Sequence, residues 1–201
     1  QRIKLSSQPD LLIFYSKSGL RKRILRMKKQ KLYMMIIGAI GIAIFAISVY
    51  QSLPLFSNPQ TLGSYVIYSI AVLVVMIVCH MMPIYITADK TMEISFVPVL
   101  ACVVTRGISL AIVLFAISTM LAFLQDTQTH KNYSPWLRAP LKELFNVANV
   151  LISIRIAGAV YELITGSGSG QVFTWNVVIG ATVFSFIAIF GNLVFFILYF
   201  K

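Results

Sequence analysis

Arg155 stands in the middle of an apolar run, KELFNVANVLISIRIAGAVYELI, over residues 142–164. A guanidinium at membrane depth is costly, so it is paired, turned into a helix bundle, or lines a water-filled cavity. Three readings are open for Arg155: an internal ion pair that fixes helix packing, a site for an anionic small-molecule ligand, or a side chain snorkelling to the interface. Glu162 falls on the same helical face, as do Ala148, Ile152 and Ala159. Arg155 and Glu162 are too far apart along one helix to pair, so each is expected to meet another element, with Glu93 a possible partner for Arg155. Asn146 and Asn149 lie one turn apart on the same segment, and Asn192 lies midway through the last apolar run. Asparagines in such places form interhelical hydrogen bonds worth about 1 kcal/mol.

Other chemistry is missing from the chain. There is no Gly-rich phosphate loop, no HExxH and no CxxC. The two histidines, His80 and His130, are far apart in sequence, whereas metal-binding histidines come in clusters. His80 therefore reads as a hydrogen-bonded structural residue. Cys79 and Cys102 sit in apolar segments and read as free, buried thiols. The expectation is a chain without cofactor, metal site or catalytic residues. Tyr133, Trp136, Arg138 and Lys142 read as an interfacial turn, because base stacking needs aromatics interleaved with charge on a water-exposed face. Nucleic acid is not an expected partner, despite a pI near 9.9.

The elements that must position these residues follow from composition. The chain has 201 residues, 58% hydrophobic and 11% charged, with a mean hydropathy of +0.85. A soluble domain would carry about 25% charged residues. Ten of the seventeen Lys and Arg residues fall within the first thirty-one positions. Lys17, Arg21, Lys22, Arg23, Arg26, Lys28, Lys29 and Lys31 stop where the first apolar stretch begins. Positive charge beside a span stays cytoplasmic, so the N-terminus is expected on the cytoplasmic side of a bacterial cytoplasmic membrane. Residues 17–31, with Leu20, Ile24 and Met27 recurring at helical spacing, read as an amphipathic helix on the anionic inner leaflet or as a partner-docking arm. The expected organisation is a basic arm over 1–32 and an integral membrane domain over 33–201, an all-α polytopic helical bundle of about six spans.

Spans are expected at about 33–53, 63–87, 143–164 and 173–200. The stretch 91–124 is decided by parity. Segment 125–142 carries Lys131, Arg138 and Lys142 and should be cytoplasmic; connectors 54–62 and 165–172 carry no charge and should be external. Residues 91–124 must then leave and return, as two short elements broken at Thr105-Arg106-Gly107. Each is below the roughly twenty residues of a straight span, so other helices must bury them. Both termini end on the cytoplasmic side.

With the segments placed, the order of the chain resembles a known plan. A basic arm and two spans precede TMEISFVPVLACVV; the Arg155 segment opens with Leu144-Phe145-Asn146 and closes in Ala159-Val160-Tyr161-Glu162-Leu163; and the last span, FSFIAIFGNLVFFILYF, has Asn192 at its centre. Over roughly 28–200 this is similar to the N-terminal membrane domain of bacterial HD-GYP-type cyclic di-GMP phosphodiesterases and related GGDEF-type proteins. The resemblance implies a sensory or anchoring domain whose last span leads to a cytoplasmic output domain. It carries over no catalytic residue, since the His-Asp and Gly-Tyr-Pro motifs are missing. Size, span number and broken segments equally suit a substrate-binding S component of an energy-coupling-factor importer, with Ala39 and Ala43 as its contact to a membrane subunit. A small structural membrane subunit is the third reading.

Overall fold

The computed structural model describes residues 9–81, 84–87, 90–92, 95–125, 132–166 and 174–200. Glu93 lies outside them, as do Asp89, His130 and Lys131. The chain is an all-α membrane helical bundle. Helix α1 (Pro9–Ser52) leads through a 3-10 turn (Leu53–Phe56) into α2 (Pro59–Met81). A short antiparallel ribbon, β1 (Ile84–Thr87) with β2 (Lys90–Met92), precedes α3 (Phe96–Arg106) and α4 (Ile108–Leu121). A second ribbon, β3 (Leu124–Gln125) with β4 (Asn132–Tyr133), is followed by α5 (Pro135–Arg138), α6 (Pro140–Thr165) and α7 (Trp175–Phe200). Lys28–Phe56, α2, α6 and Trp175–Tyr199 are long and apolar enough to cross a membrane.

Local chemistry accounts for the boundaries. The second long helix starts at Pro59, earlier than the expected 63, because Asn58 and Pro59 form a helix start. Asn58 Oδ1 accepts the Gln60 N–H at 3.0 Å, and proline at the first helical position has no N–H to leave unbonded. That helix ends at Met81 instead of 87. Pro83 disfavours helix in the residue before it, and the Ile84-Tyr85-Ile86-Thr87 that follows has strand-forming chemistry. Residues 9–32 and the first span form one unbroken helix, so no change of secondary structure marks a boundary at 32–33.

The expected break at 105–107 is present. Gly107 has φ 95° and ψ 170°, a conformation that L side chains rarely adopt, and its N–H bonds back to the carbonyls of Cys102 and Val103. Helix α4 is apolar all round and mostly buried, as such a short helix must be. It packs on α1, α2, α3 and α6.

The direction of each helix follows from its neighbours. Gly38 meets Leu144, Gly41 meets Ala148, and Gln51 meets Arg155, so α1 and α6 run in the same sense. Asn149 meets Asn192 and Tyr161 meets Gly180, so α7 runs against α6. Thr105 and Arg106, at the break, lie beside Tyr68 and Tyr65, while Ser118 lies beside His80; α4 therefore runs with α2. Gln30 and Tyr33 of α1 meet Tyr199 and Phe195 of α7. The start of the first span and the end of the last thus share one end of the bundle, as parity required.

Helix α6 is the hub. Of its spanning window 56% is buried, against 22%, 6% and 11% for the α1, α2 and α7 windows. Close approach depends on small residues. A Cβ at Gly41 would collide with the Ala148 Cβ, and one at Gly158 would stand 2.6 Å from the Ile108 side chain. We expect Gly41→Leu to lower the stability of the detergent-solubilised protein by about 1–3 kcal/mol or more, the range for overpacking. Ala43→Leu, two residues away on the exposed side of α1, should leave the thermal midpoint nearly unchanged. Equal midpoints for the two variants would contradict the α1–α6 packing.

Candidate functional site

One polar constellation lies at the surface of the α3–α4 apex, a second sits inside the apolar bundle, and a basic one caps its end. The first surrounds the α3–α4 apex. Gln51, in the last turn of α1, accepts hydrogen bonds on Oε1 from Ser109 Oγ at 2.7 Å and from Arg155 Nη1 at 3.4 Å. Arg106 lies over the rings of Tyr65 and Tyr68, 4.3 and 5.0 Å from their centroids. Tyr68 is in turn hydrogen-bonded to Thr105. The break at Gly107 explains this grouping: it ends α3 on Arg106 and starts α4 so that Ser109 faces α1.

The second constellation joins α6 to α7. Asn149 is fully buried, and its Nδ2 donates to Asn192 Oδ1 at 2.6 Å and to the Asn192 carbonyl at 3.2 Å. Ser153, one turn on, packs on Gly191 and returns its own hydroxyl to the Asn149 carbonyl. Gly191 lets the helices approach, and the approach brings the two amides within bonding distance. Asn149 Oδ1 is left buried without a partner among the described residues.

His80 behaves as a structural residue. It is buried, its Nε2 lies 3.1 Å from Ser118 Oγ, and its ring packs on Phe115. Trp136 of the interfacial turn donates its indole N–H to the Thr119 carbonyl at 3.0 Å. These contacts pin the end of α4 between α2 and α5. Cys102 is buried, Cys79 half-buried, and both are free thiols.

The sequence-derived residues thus separate. Asn149 and Asn192 are brought together; Asn146, half-buried on α6, lies outside that pair. The partner of Arg155 among the described residues is the neutral Gln51, not a carboxylate. Its proposed partner Glu93 falls outside those residues. Glu162 is exposed, and so is Ala159, while Ala148 and Ile152 on the same nominal face are buried. Helix α1 covers that face only as far as Ser52, beside Arg155, and a seven-residue spacing drifts about 20° around an α-helix per repeat. The face therefore turns outward as it climbs. Reading the run by spacing missed Gln51 and Ser109, because neither carries charge; the polar end of an otherwise apolar α1 was the available signal.

Lys28, Lys29 and Lys31 are exposed on α1 at the end of the bundle where α6 begins, near Arg138 and Lys142. Lys17, Arg21, Lys22, Arg23 and Arg26 lie further back on the same helix. The described residues hold no group of three or more His, Cys, Asp or Glu placed to bind a metal. Comparison with protein families, with curated proteins and with solved structures finds no match to this chain.

Replacing Asn149 by Leu should cost about 1 kcal/mol through the lost interhelical bonds. A cycle combining Asn149→Leu with Asn192→Leu should show coupling near that size in thermal unfolding. Additive single effects would mean that the amide pair does not hold α6 to α7.

Proposed function

We propose that this chain is a multi-pass input or anchoring module of a bacterial cytoplasmic membrane. It presents the joined ends of α1 and α7 to a cytoplasmic output partner, as the resemblance of its residue order to cyclic di-GMP signalling proteins implies. One observation carries the reading: α1 and α7 are latched together at the basic end of the bundle. Tyr33 donates its hydroxyl to the Phe195 carbonyl at 3.3 Å, and Gln30 donates its amide to the Tyr199 carbonyl at 3.5 Å. Phe145 of α6 packs against Tyr33, Phe196 and Tyr199, so displacement of the hub helix reaches both ends at once. The cations of α1, α5 and α6 crowd the same end, which favours the cytoplasmic side and contact with anionic lipid.

A second reading rests on Ala39 and Ala43. Both are exposed on α1, while Gly38 and Gly41 face α6. A membrane subunit docking on this small-residue side would fit a substrate-binding importer component.

Orientation tests the first reading. In a background without Cys79 and Cys102, Lys29→Cys and Lys142→Cys should react with a membrane-impermeant maleimide only after spheroplasts are opened. Thr174→Cys should react in intact ones. Labelling of position 29 from outside would leave a cytoplasmic output nothing to engage. Spin labels at Lys29→Cys and Leu198→Cys should give one narrow distance, broadened by Tyr33→Phe if the latch holds these ends together.

A further inference from the structure

Asn149 and Asn192 hold each other across α6 and α7, but not symmetrically. Both bonds run from Asn149 Nδ2, one to Asn192 Oδ1 and one to the Asn192 carbonyl. A main-chain carbonyl only accepts, so the Asn149 atom that faces it is the nitrogen. That nitrogen in turn requires the Asn192 side chain to present its oxygen. Asn192 Nδ2, which carries two hydrogens, is then left without a partner among the described residues. Asn149 is fully buried, whereas Asn192 is half-buried at the edge of the α6–α7 contact. Its nitrogen is not one of the buried, unbonded side-chain atoms, so another molecule can reach it.

Depth makes this donor matter. Asn192 lies in the Trp175–Tyr199 span, seven residues before Tyr199. At 1.5 Å per residue its amide is about 10 Å inside the end of the bundle where Gln30, Lys29 and Lys31 gather. Acyl chains offer no acceptor, and an amide N–H left unbonded among them is costly. Lipid ester oxygens stay in the interfacial region, outside the hydrocarbon. The α7 surface around Asn192 is otherwise apolar. Ile189, one turn before it, and Leu193, next to it, are 50% and 51% exposed. The acceptor therefore comes from another helix laid along this edge, as polar side chains of spans supply to one another.

An amide carries donor and acceptor together, so the same edge of a second copy supplies what this one lacks. Asn192 Oδ1 has two lone pairs, and Asn149 uses one of them. Two copies inserted in the same sense are related by a two-fold axis along the membrane normal. Such a contact is self-complementary and closes at two subunits. We propose that the chain dimerises in the membrane through this edge of α7. Each Asn192 Nδ2 donates to Oδ1 of the partner's Asn192, with Ile189 and Leu193 packed around the amides. Dimerisation of this kind needs no cytoplasmic output partner.

The test is oxidative crosslinking of the full chain in membranes, in a background without Cys79 and Cys102. Ile189→Cys and Leu193→Cys should give disulfide-linked dimers. Val194→Cys, exposed on the side of α7 away from Asn192, should stay monomeric. Energy transfer between donor-labelled and acceptor-labelled copies in liposomes measures how tightly they associate. Asn192→Leu should weaken association about tenfold, the loss of two interhelical hydrogen bonds. Asn149→Leu breaks the same internal bonds and should associate nearly as wild type does. Thermal melts check that both variants are folded, and Asn192→Ala replaces Asn192→Leu if the latter is not. Equal losses in the Asn149 and Asn192 variants would trace the effect to the fold and overturn the dimer, as would crosslinking at 194 in preference to 189 and 193. Crosslinking of 189 to a different membrane protein in place of a second copy would assign the edge to another subunit and overturn self-association.

Discussion

The bundle depends on how closely α6 can be approached. In lipid, apolar side chains gain little by meeting each other instead of acyl chains, so association rests on close packing and on hydrogen bonds between helices. The contacts of α6 with α1, α7 and α4 each rest on a glycine. Gly38 and Gly41 admit α1, Gly180 and Gly191 admit α7, and Gly158 of α6 itself receives Ile108 from the hairpin. Where backbones come this near, the asparagine pair and Ser153 become available to bond across.

The hairpin α3–α4 is the clearest dependant. Neither helix could stand alone at membrane depth, because each is too short to carry its ends to water. The surrounding helices supply the cover, and the ends are tied by side chains instead of solvent. His80, Ser118 and Trp136 hold the end of α4, and Gln51 and Ser109 hold its start. His80 and Gln51 sit near the ends of the long helices α2 and α1, and Trp136 in the short α5, where backbone and side-chain polarity is affordable.

Much of this was readable from residue order. The break at Gly107, the shared end of the first and last spans and the bonding of asparagines between helices all follow from charge parity and the rarity of polar groups in apolar runs. What sequence reasoning lost was azimuth. It put Glu162 on the interior face with Arg155, because a seven-residue spacing fixes a face only while a partner helix runs alongside, and α1 stops at Ser52. It also extended the second span over Ile84–Thr87, since apolarity alone does not separate a helix from a short strand after proline. The partner of Arg155 was sought among acids, whereas a neutral amide at the end of α1 fills that place.

Helix α1 also sets a length scale. Its 44 residues rise about 66 Å at 1.5 Å each, roughly twice the hydrocarbon thickness of a bilayer. About 28 Å of that rod, residues 9–27, precedes the lysines at the bundle's edge. Whatever engages its tip is held well away from the hub helix, on a lever whose other end is wedged against it. A small tilt of α1 at Gly41 would be magnified into a much larger sweep at Pro9.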